Sequence, residues 1–371
     1  MTEFTLTRED IEPLLEGLAI LGTGGGGDPS WGRMIMENDL QRGREWRVVS
    51  LEDVPEEWTV VCGGIMGSVK ALEHIGFENI LENWESDFPL ISVTEYMSKL
   101  IGKPIDAMIP FEAGGLNTPI VLTLASRMGI AAIDADALGR SAPETQMTSW
   151  HGHGVKITPM PLADSMGNIV VVSQASEPTY VDEVGRFVVT KGGYLGANNH
   201  HPMTGAQVKE TSIPGTFSGA LALGRAVMAA RAAGGDPMAA VEDRLRPVHK
   251  YEVRLALLQE EQHMGFYFTT VGLELPDGRA GEMVIKNETM MLSVNNDVIC
   301  TFPDRILMLE PGTGRGVMSM ELETGMELVL LVVPAHPRLQ AAAQTDQGRS
   351  SMAPARYGRP DLDYRPLAEA T

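Results

Sequence analysis

Hydrophobic positions in the first third of the chain alternate between helical and extended spacing. Apolar residues recur every three or four positions from Ile11 to Leu21, which predicts an amphipathic helix that ends at Gly22. Continuous apolar runs, WTVVCGGIMGS and IAAIDADALG, predict buried strands, and TPIVLTLASRMG predicts a helix. This alternation is typical of an α/β fold with a largely parallel or mixed sheet.

Two polar segments predict where helices begin. Residues Thr7 to Asp10 form a capping-box pattern, in which the Asp10 side chain returns to the amide of the cap residue. Asp28 and Pro29 predict a second N-cap with proline at the first helical position, and this helix is expected to continue to Met36.

After about residue 155 the pattern changes to strand-like segments that are separated by turns. NIVVVSQ, GFYFTTVGLEL, EMVIKNETMMLSV, DVICTFPDRILML and MELVLLVVPA are predicted strands, and YVDEVGRFVVTKGG is expected to be one as well. One long helix is predicted from Gly215 to Ala233. We therefore place an N-terminal α/β domain at residues 1–168 and a β-rich (α+β) domain at residues 169–371, with an irregular tail after Pro337.

Composition limits the possible partners. The 371 residues carry a formal net charge of −20, which disfavours nucleic acid and anionic membranes, so an anionic substrate would need a local cation. No apolar run approaches the roughly 18 residues of a membrane span, and the first residues lack the order of a signal peptide. With only Cys62 and Cys300 there is no disulfide framework, and a cytoplasmic location is expected.

The stretch LGTGGGGDPSW contains four consecutive glycines. Gly22, Gly24 and Gly27 satisfy the GxGxxG spacing, but a helix precedes them where a dinucleotide site needs a strand, and no Lys-Ser/Thr pair follows. No nucleotide cofactor is therefore expected. A flexible connector and a substrate loop, whose amides approach a ligand closely, both remain open. The substrate-binding residues of such a loop would be Gly24, Gly25, Gly26, Gly27 and Asp28.

Acidic residues follow two of the predicted strands. In FEAGGLN, Glu112 is a candidate base and Asn117 a candidate hydrogen-bond donor, although Glu112 could instead cap the next helix. In IDADALGRSAPETQM, alternation puts Asp134 and Asp136 on one face of a strand, where two carboxylates share a proton or hold a cation. Beyond them, Arg140 and Glu144 are candidate substrate-binding residues. Arg140 would either clamp a substrate carboxylate or neutralise these acids in a structural network.

Two histidine-rich segments, SWHGHG and GANNHHPM, favour a divalent metal site, and imidazole ligands favour zinc. The candidate ligands are His151, His153, His200 and His201. Adjacent histidines on a strand usually point apart, so at most one of the second pair would ligate in the same site. The alternative is that these loop histidines are simply solvated.

Several segments, taken together, resemble one known family. LGTGGGGDP, FEAGGLN, IDADALGRSAPETQM, PMPLADSMGN, PMTGAQVKETSIPGTFSGALALGRAV, KNETMM and PDRILML occur in this order, and the likeness extends from about Glu9 to Pro366. The chain resembles the S-methyl thiohydantoin desulfurase-like family, long catalogued with hydantoin utilisation. The resemblance implies an N-terminal α/β domain, a C-terminal β-rich domain, and hydrolysis of an S-methylated thiohydantoin to a hydantoin and methanethiol. It also implies a place in the breakdown of sulfur-containing histidine derivatives related to ergothioneine.

We therefore expect a cytoplasmic, homo-oligomeric hydrolase that acts on a five-membered, anionic heterocycle in a cleft between the domains. Glu112, Asp134 and Asp136 are the expected bases or metal ligands, and Asn117 with the glycine-loop amides would stabilise negative charge. Two alternatives stay open. One is a hydantoinase-like cyclic amide hydrolase that cleaves a C–N bond, and the other is a non-catalytic binding or accessory protein of a hydantoin pathway.

Overall fold

The computed structural model describes residues 3–67, 76–193, 195–263 and 266–368 of the chain. These residues form a mixed sheet that is covered by helices and an antiparallel, curled sheet made of the C-terminal strands. The predicted two-domain α/β architecture is therefore confirmed. The domain boundary at residue 168 stays a prediction, and strands on both sides of it belong to the first sheet.

The first sheet has the strand order β1-β2-β5-β4-β3-β8-β6-β7, and β9 pairs with β5. Its strands are β1 (Glu3–Leu6), β2 (Trp46–Ser50), β3 (Thr59–Gly67), β4 (Ala107–Ile109), β5 (Ala131–Asp136), β6 (Met160–Asp164), β7 (Ile169–Val172), β8 (Leu195–Thr204) and β9 (Ile213–Pro214). The central strands β2, β5, β4 and β3 are parallel, and the flanking pairs are antiparallel. The carboxyl ends of the parallel strands therefore share one edge of the sheet.

Helices precede and follow these strands. They are α1 (Ile11–Leu21), α2 (Pro29–Gln41), α3 (Phe77–Ser86), α4 (Pro89–Ile101), α5 (Asn117–Met128), α6 (Ser149–Gly152), α7 (Pro178–Lys191), α8 (Gly205–Thr211), α9 (Thr216–Ala232), α10 (Pro237–Leu245), α11 (Pro337–Gln344) and α12 (Asp346–Met352). Helices α1 and α9 cross so closely that a Cβ atom at Gly17 or Gly224 would overlap backbone atoms of the other helix. Within the described ranges, no helix has the length and apolar character that a membrane crossing requires.

The second sheet is antiparallel, with the order β14-β13-β12-β11-β10-β16-β15. Its strands are β10 (His249–His263), β11 (Phe266–Glu274), β12 (Ala280–Lys286), β13 (Glu288–Val294), β14 (Asp297–Thr301), β15 (Arg305–Leu309) and β16 (Glu327–Val333). The sheet curls until β13 and β15 approach each other, and it encloses an apolar core that includes Leu255, Met283 and Leu330.

The helix caps form as predicted. The Thr7 amide donates to Asp10 Oδ2 at 2.8 Å, and the Ser30 amide donates to Asp28 Oδ1 at 2.7 Å at the start of α2. The long predicted helix is α9.

Two expectations for the second half of the chain are wrong. The segment YVDEVGRFVVTKGG lies in α7 and the residues just after it and is not a strand. The buried residues of α7 recur at helical spacing, as Val181, Gly185 and Val189, behind a proline at the first helical position. The tail after Pro337 is not irregular throughout, because α11 and α12 lie in it and bury Leu339 and Met352.

Candidate active site

The glycine loop is held between the two sheets by backbone hydrogen bonds. On the second-sheet side, the Thr289 amide donates to the Thr23 carbonyl at 3.1 Å and the Ser319 amide to the Gly24 carbonyl at 2.9 Å. On the first-sheet side, the Leu116 amide donates to the Gly26 carbonyl at 3.0 Å. The loop therefore contacts both domains, and Asp28 caps α2 at its end.

Glycine is required in this loop for two reasons. Gly24, Gly26 and Gly27 have φ values of +88°, +78° and +81°, a region that L side chains rarely adopt. At Gly25, a Cβ atom would overlap the carboxyl group of Glu288, and at Gly26 it would overlap the side chain of Ser141. The loop therefore lies directly against an acidic residue of the second sheet.

Glu112 lies just beyond the carboxyl end of β4 and is 3% exposed. The Asn117 side-chain amide donates to its Oε1 at 2.7 Å, and the Ala142 backbone amide donates to its Oε2 at 2.9 Å. Burial raises the pKa of Glu112 to about 7, the charge of Asp136 adds to this rise, and the two hydrogen bonds oppose it. Glu112 and Asn117, which were both predicted from one sequence segment, are therefore in direct contact.

Glu288, the first residue of β13, is a further acidic residue of this site that the sequence analysis did not identify. It is 5% exposed, and its Oε2 atom is buried without a hydrogen-bond partner among the described residues. Burial raises the pKa of Glu288 to about 8, and the charge of Glu112 raises it further, while Arg140 and the Gly26 amide act in the opposite direction. The available signal was a glutamate that stands between the apolar runs MVI and MML of one predicted segment.

Asp134 and Asp136 both contact the start of α9, as expected for residues on one face of a strand. Asp134 accepts hydrogen bonds from the Phe217 amide at 2.7 Å and from the Ser218 hydroxyl at 2.5 Å. Asp136 accepts from the Thr216 hydroxyl at 2.5 Å and from two amides of its own turn. Burial raises the pKa of Asp136 to about 6.

The profiles of two family domains match this chain. The S-Me-THD-like N-terminal domain matches residues 9–174, and the S-Me-THD-like C-terminal domain matches residues 176–367. The chain belongs to the S-methyl thiohydantoin desulfurase-like family.

The S-Me-THD-like chain also has a neighbour among solved structures. The crystal structure of a protein from Chromobacterium violaceum is similar to it with a TM-score of 0.75 and 23% sequence identity, over 98% of this chain and 100% of the other. At this identity the likeness shows a shared fold and nothing more. Curated proteins include no significant match to the chain.

Arg140 joins the two domains of the S-Me-THD-like chain. Its side chain is fully buried and donates to the carbonyl oxygens of Ser141 at 2.9 Å, Asp304 at 2.8 Å and Thr289 at 2.6 Å. The guanidinium also lies 4.7 Å from the ring centre of Phe302. Burial lowers its pKa to about 10, and the charge of Glu288 opposes that shift. These contacts are to carbonyl oxygens and an aromatic ring, so both roles considered for Arg140, a substrate clamp and the neutralisation of Asp134 and Asp136, stay predictions.

Glu144 is a buried member of a separate ionic network. Lys286 Nζ lies 2.5 Å from its Oε1, Arg356 pairs with its Oε2, and the Gln146 side-chain amide donates to Oε2 at 2.7 Å. The network links the loop after β5 to β12 and to the C-terminal tail.

The four candidate metal-ligating histidines are in three different environments. His200 and His201 are buried on β8 with their Nδ1 atoms 2.7 Å apart, so adjacent rings meet and do not point apart. The φ of +48° at His201 breaks the alternation of the strand and explains this difference. His151 is partly buried in α6, whereas His153 is exposed with Nε2 3.1 Å from the Arg338 carbonyl.

No three His, Cys, Asp or Glu side chains of the described residues are grouped so that they could hold a metal ion. Burial lowers the pKa of His200 to about 3, so its ring is neutral at neutral pH. Because one ring of the His200–His201 pair must donate its Nδ1 proton to the other, those two nitrogens are not both available as ligands. A divalent metal cofactor stays a prediction.

Proposed function

We propose that this protein is a hydrolase of five-membered cyclic amidines or imides, and that its substrate is an S-methyl thiohydantoin. In this reaction water attacks the ring carbon that carries sulfur, the C–S bond breaks, and methanethiol and a hydantoin are released. Membership of the S-methyl thiohydantoin desulfurase-like family supports the substrate class. Because one fold can host many reactions, the chemistry depends on the side chains of the site.

The observation that carries the proposal is the pair of buried carboxyl groups, Glu112 and Glu288. Burial raises the pKa of Glu112, and its carboxylate accepts hydrogen bonds from the Asn117 side chain and the Ala142 amide, so Glu112 is assigned to accept a proton from water. Burial and the charge of Glu112 raise the pKa of Glu288, and its Oε2 has no hydrogen-bond partner among the described residues, so Glu288 is assigned the proton that it can donate. Two neighbouring carboxyl groups that share one proton in this way provide a base and an acid.

The surrounding groups are suited to supporting roles. The Asn117 amide holds the Glu112 carboxylate and offers a second N–H to charge that develops on the ring. The glycine loop, Gly24 to Gly27, brings backbone close to Glu288 without a side chain in the way. Methanethiolate is a good leaving group, so the Glu288 proton is assigned to a ring nitrogen. As the C–S bond breaks, the departing thiolate takes the proton that Glu112 received from water, and the hydroxyl proton of the intermediate passes to Glu288 as the new carbonyl forms. No step is routed through a metal.

Asp134 and Asp136 are assigned a positioning role. Both oxygens of each carboxylate accept hydrogen bonds from the start of α9 or from the turn after β5. The general-base role is therefore proposed for Glu112 alone.

Release of methanethiol from an S-methyl thiohydantoin, followed with a thiol-reactive chromophore, tests this proposal. Glu112→Gln keeps the side-chain shape but cannot accept the proton, so kcat should fall by about 10²- to 10⁴-fold with little change in melting temperature. Glu12→Gln, on the exposed side of α1 where Glu12 pairs with Arg33, is the matched control and should keep wild-type kcat.

Three outcomes would change the assignment. A Glu112→Gln protein with wild-type kcat would refute the role of Glu112. Ring opening without thiol release would identify a hydantoinase-like cyclic amide hydrolase. Binding of both kinds of ring without turnover would identify an accessory protein.

A further inference from the structure

A cavity of about 480 Å³ lies where the first sheet, the start of α9 and the second sheet meet. Much of its wall is apolar and includes Leu21 of α1, Leu223 of α9 and Val333 of β16. The wall also includes Ala113, which follows Glu112 in the chain, and Asp136, whose charge acts on Glu112. A cavity of this volume with a largely apolar wall suits a small organic molecule.

Cationic side chains are concentrated at this cavity, although the whole chain has a net charge of −20. Arg244 near the end of α10, Arg246 just after it, and Arg305 at the start of β15 all line the cavity. Among the described residues, no carboxylate lies within ion-pair distance of these three arginines, although the charges of Asp304 and Asp136 act on Arg305 at longer range. Of the described residues that line the cavity, Asp136 alone is acidic, and its carboxylate already accepts hydrogen bonds from three donors.

Arg305 lies deeper in the cavity wall than the other two arginines. One of its terminal nitrogens donates to the Pro334 carbonyl at 3.1 Å, while its Nε is buried without a hydrogen-bond partner among the described residues. A buried N–H donor without a partner is costly, and a guanidinium presents its donors in a fork that fits a carboxylate. Arg244 and Arg246 are exposed and therefore lie at the mouth.

We propose that this cavity binds a small carboxylate with a short apolar body, whose oxygens reach Arg305 while Arg244 and Arg246 attract it at the mouth. An inorganic anion would leave the apolar walls unused, and an uncharged molecule would leave the three arginines unpaired. The carboxylate is either the acidic arm of the enzyme's own substrate or a separate small molecule. The inference does not depend on the proposed reaction.

Calorimetric titration of the full chain with 4-methylvalerate tests the proposal, and the uncharged isostere 4-methylvaleramide is the ligand control. The variant Arg244→Gln with Arg246→Gln should weaken binding of the carboxylate by about 3- to 30-fold, since each partly exposed charge contact contributes modestly. The variant Arg8→Gln with Arg254→Gln removes the same charge at exposed positions elsewhere and should leave the affinity unchanged.

Three results would overturn the proposal. The first is that 4-methylvalerate does not bind at concentrations up to about 10 mM. The second is that 4-methylvaleramide binds as tightly as the carboxylate, and the third is that the control pair of substitutions weakens binding as much as the pair at the mouth. A second titration in the presence of hydantoin-5-acetate separates the two sources of the carboxylate. If the cavity holds the acidic arm of the substrate, hydantoin-5-acetate should compete with 4-methylvalerate, and Asn117→Ala, which alters the ring site, should weaken binding of hydantoin-5-acetate but not of 4-methylvalerate. Simultaneous binding, or competition that Asn117→Ala does not affect, assigns the cavity to a separate ligand. If the wild-type protein binds 4-methylvalerate as expected but releases no thiol from an S-methyl thiohydantoin, the proposed function is contradicted and the proposed carboxylate site is not.

Discussion

The proton that Glu288 holds near neutral pH should make the stability of the protein depend on pH. Burial raises the pKa of Glu288 from 4.5 to about 8 in the folded chain, and the charge of Glu112 adds to this rise. The stabilisation from such a group is complete below its unfolded pKa and is lost as pH rises through the folded pKa. Glu288→Gln removes the titrating group, so the variant should lose less stability than the wild type as the solution becomes alkaline.

The size of the effect follows from the shift. At ~1.4 kcal/mol per unit, a rise from 4.5 to about 8 corresponds to ~5 kcal/mol once the group is ionised in both states. Between about pH 5.5 and about pH 8.5 the carboxyl group of Glu288 is ionised in the unfolded chain, whereas in the folded chain it ionises only near the upper end of this range. The free energy of unfolding of the wild type should therefore fall by ~3 kcal/mol over this range. Because the side chain is 5% exposed, solvent screens this effect little.

Urea denaturation across this pH interval measures the difference. From the acidic to the alkaline end of this pH interval, the free energy of unfolding of the wild type should fall by ~3 kcal/mol more than that of Glu288→Gln. Glu282→Gln, the same chemical change on the neighbouring strand β12 at a side chain that is 47% exposed, is the control and should behave as the wild type. Parallel pH profiles for the wild type and Glu288→Gln would refute the raised pKa.

Two further substitutions separate structure from chemistry. Gly224→Ala should lower the free energy of unfolding by ~1–3 kcal/mol, because the added Cβ atom would overlap the Pro13 carbonyl where α1 and α9 cross. An unchanged midpoint of urea denaturation would contradict that contact. Asp134→Ala should lower stability by ~1–2 kcal/mol through lost capping of α9 and keep kcat within about threefold. A loss of kcat as large as that expected for Glu112→Gln would indicate that Asp134 takes part in the reaction and does not only position α9.

The parts of the fold that depend on local interactions could be predicted from the sequence. The caps at Thr7 and Asp28 and the helix α9 follow from side chains within a few residues of each other. The contact between Glu112 and Asn117 lies within one turn for the same reason. In α7, by contrast, a valine-rich segment with high strand propensity forms a helix, because its apolar residues bury one helical face.

Residues that come together from distant parts of the chain could not be predicted in this way. Glu288 reaches the glycine loop only because the second sheet packs on the first, and nothing near Gly25 in the sequence indicates that contact. Arg140 is a second example, because only the packed domains bring the carbonyl groups of Asp304 and Thr289 to its side chain.

The same packing explains why the acidic pair has unusual pKa values. Glu112 and the glycine loop belong to the first part of the chain, and Glu288 comes from the first residue of β13. Separated, each carboxyl group would face water and ionise normally, since burial is the largest cause of both shifts. Arg140, bound to carbonyl groups of the second domain, holds the two parts at the distance that buries both acids. Its charge also opposes the rise at Glu288, so the residue that closes the domain junction also limits how strongly Glu288 retains its proton.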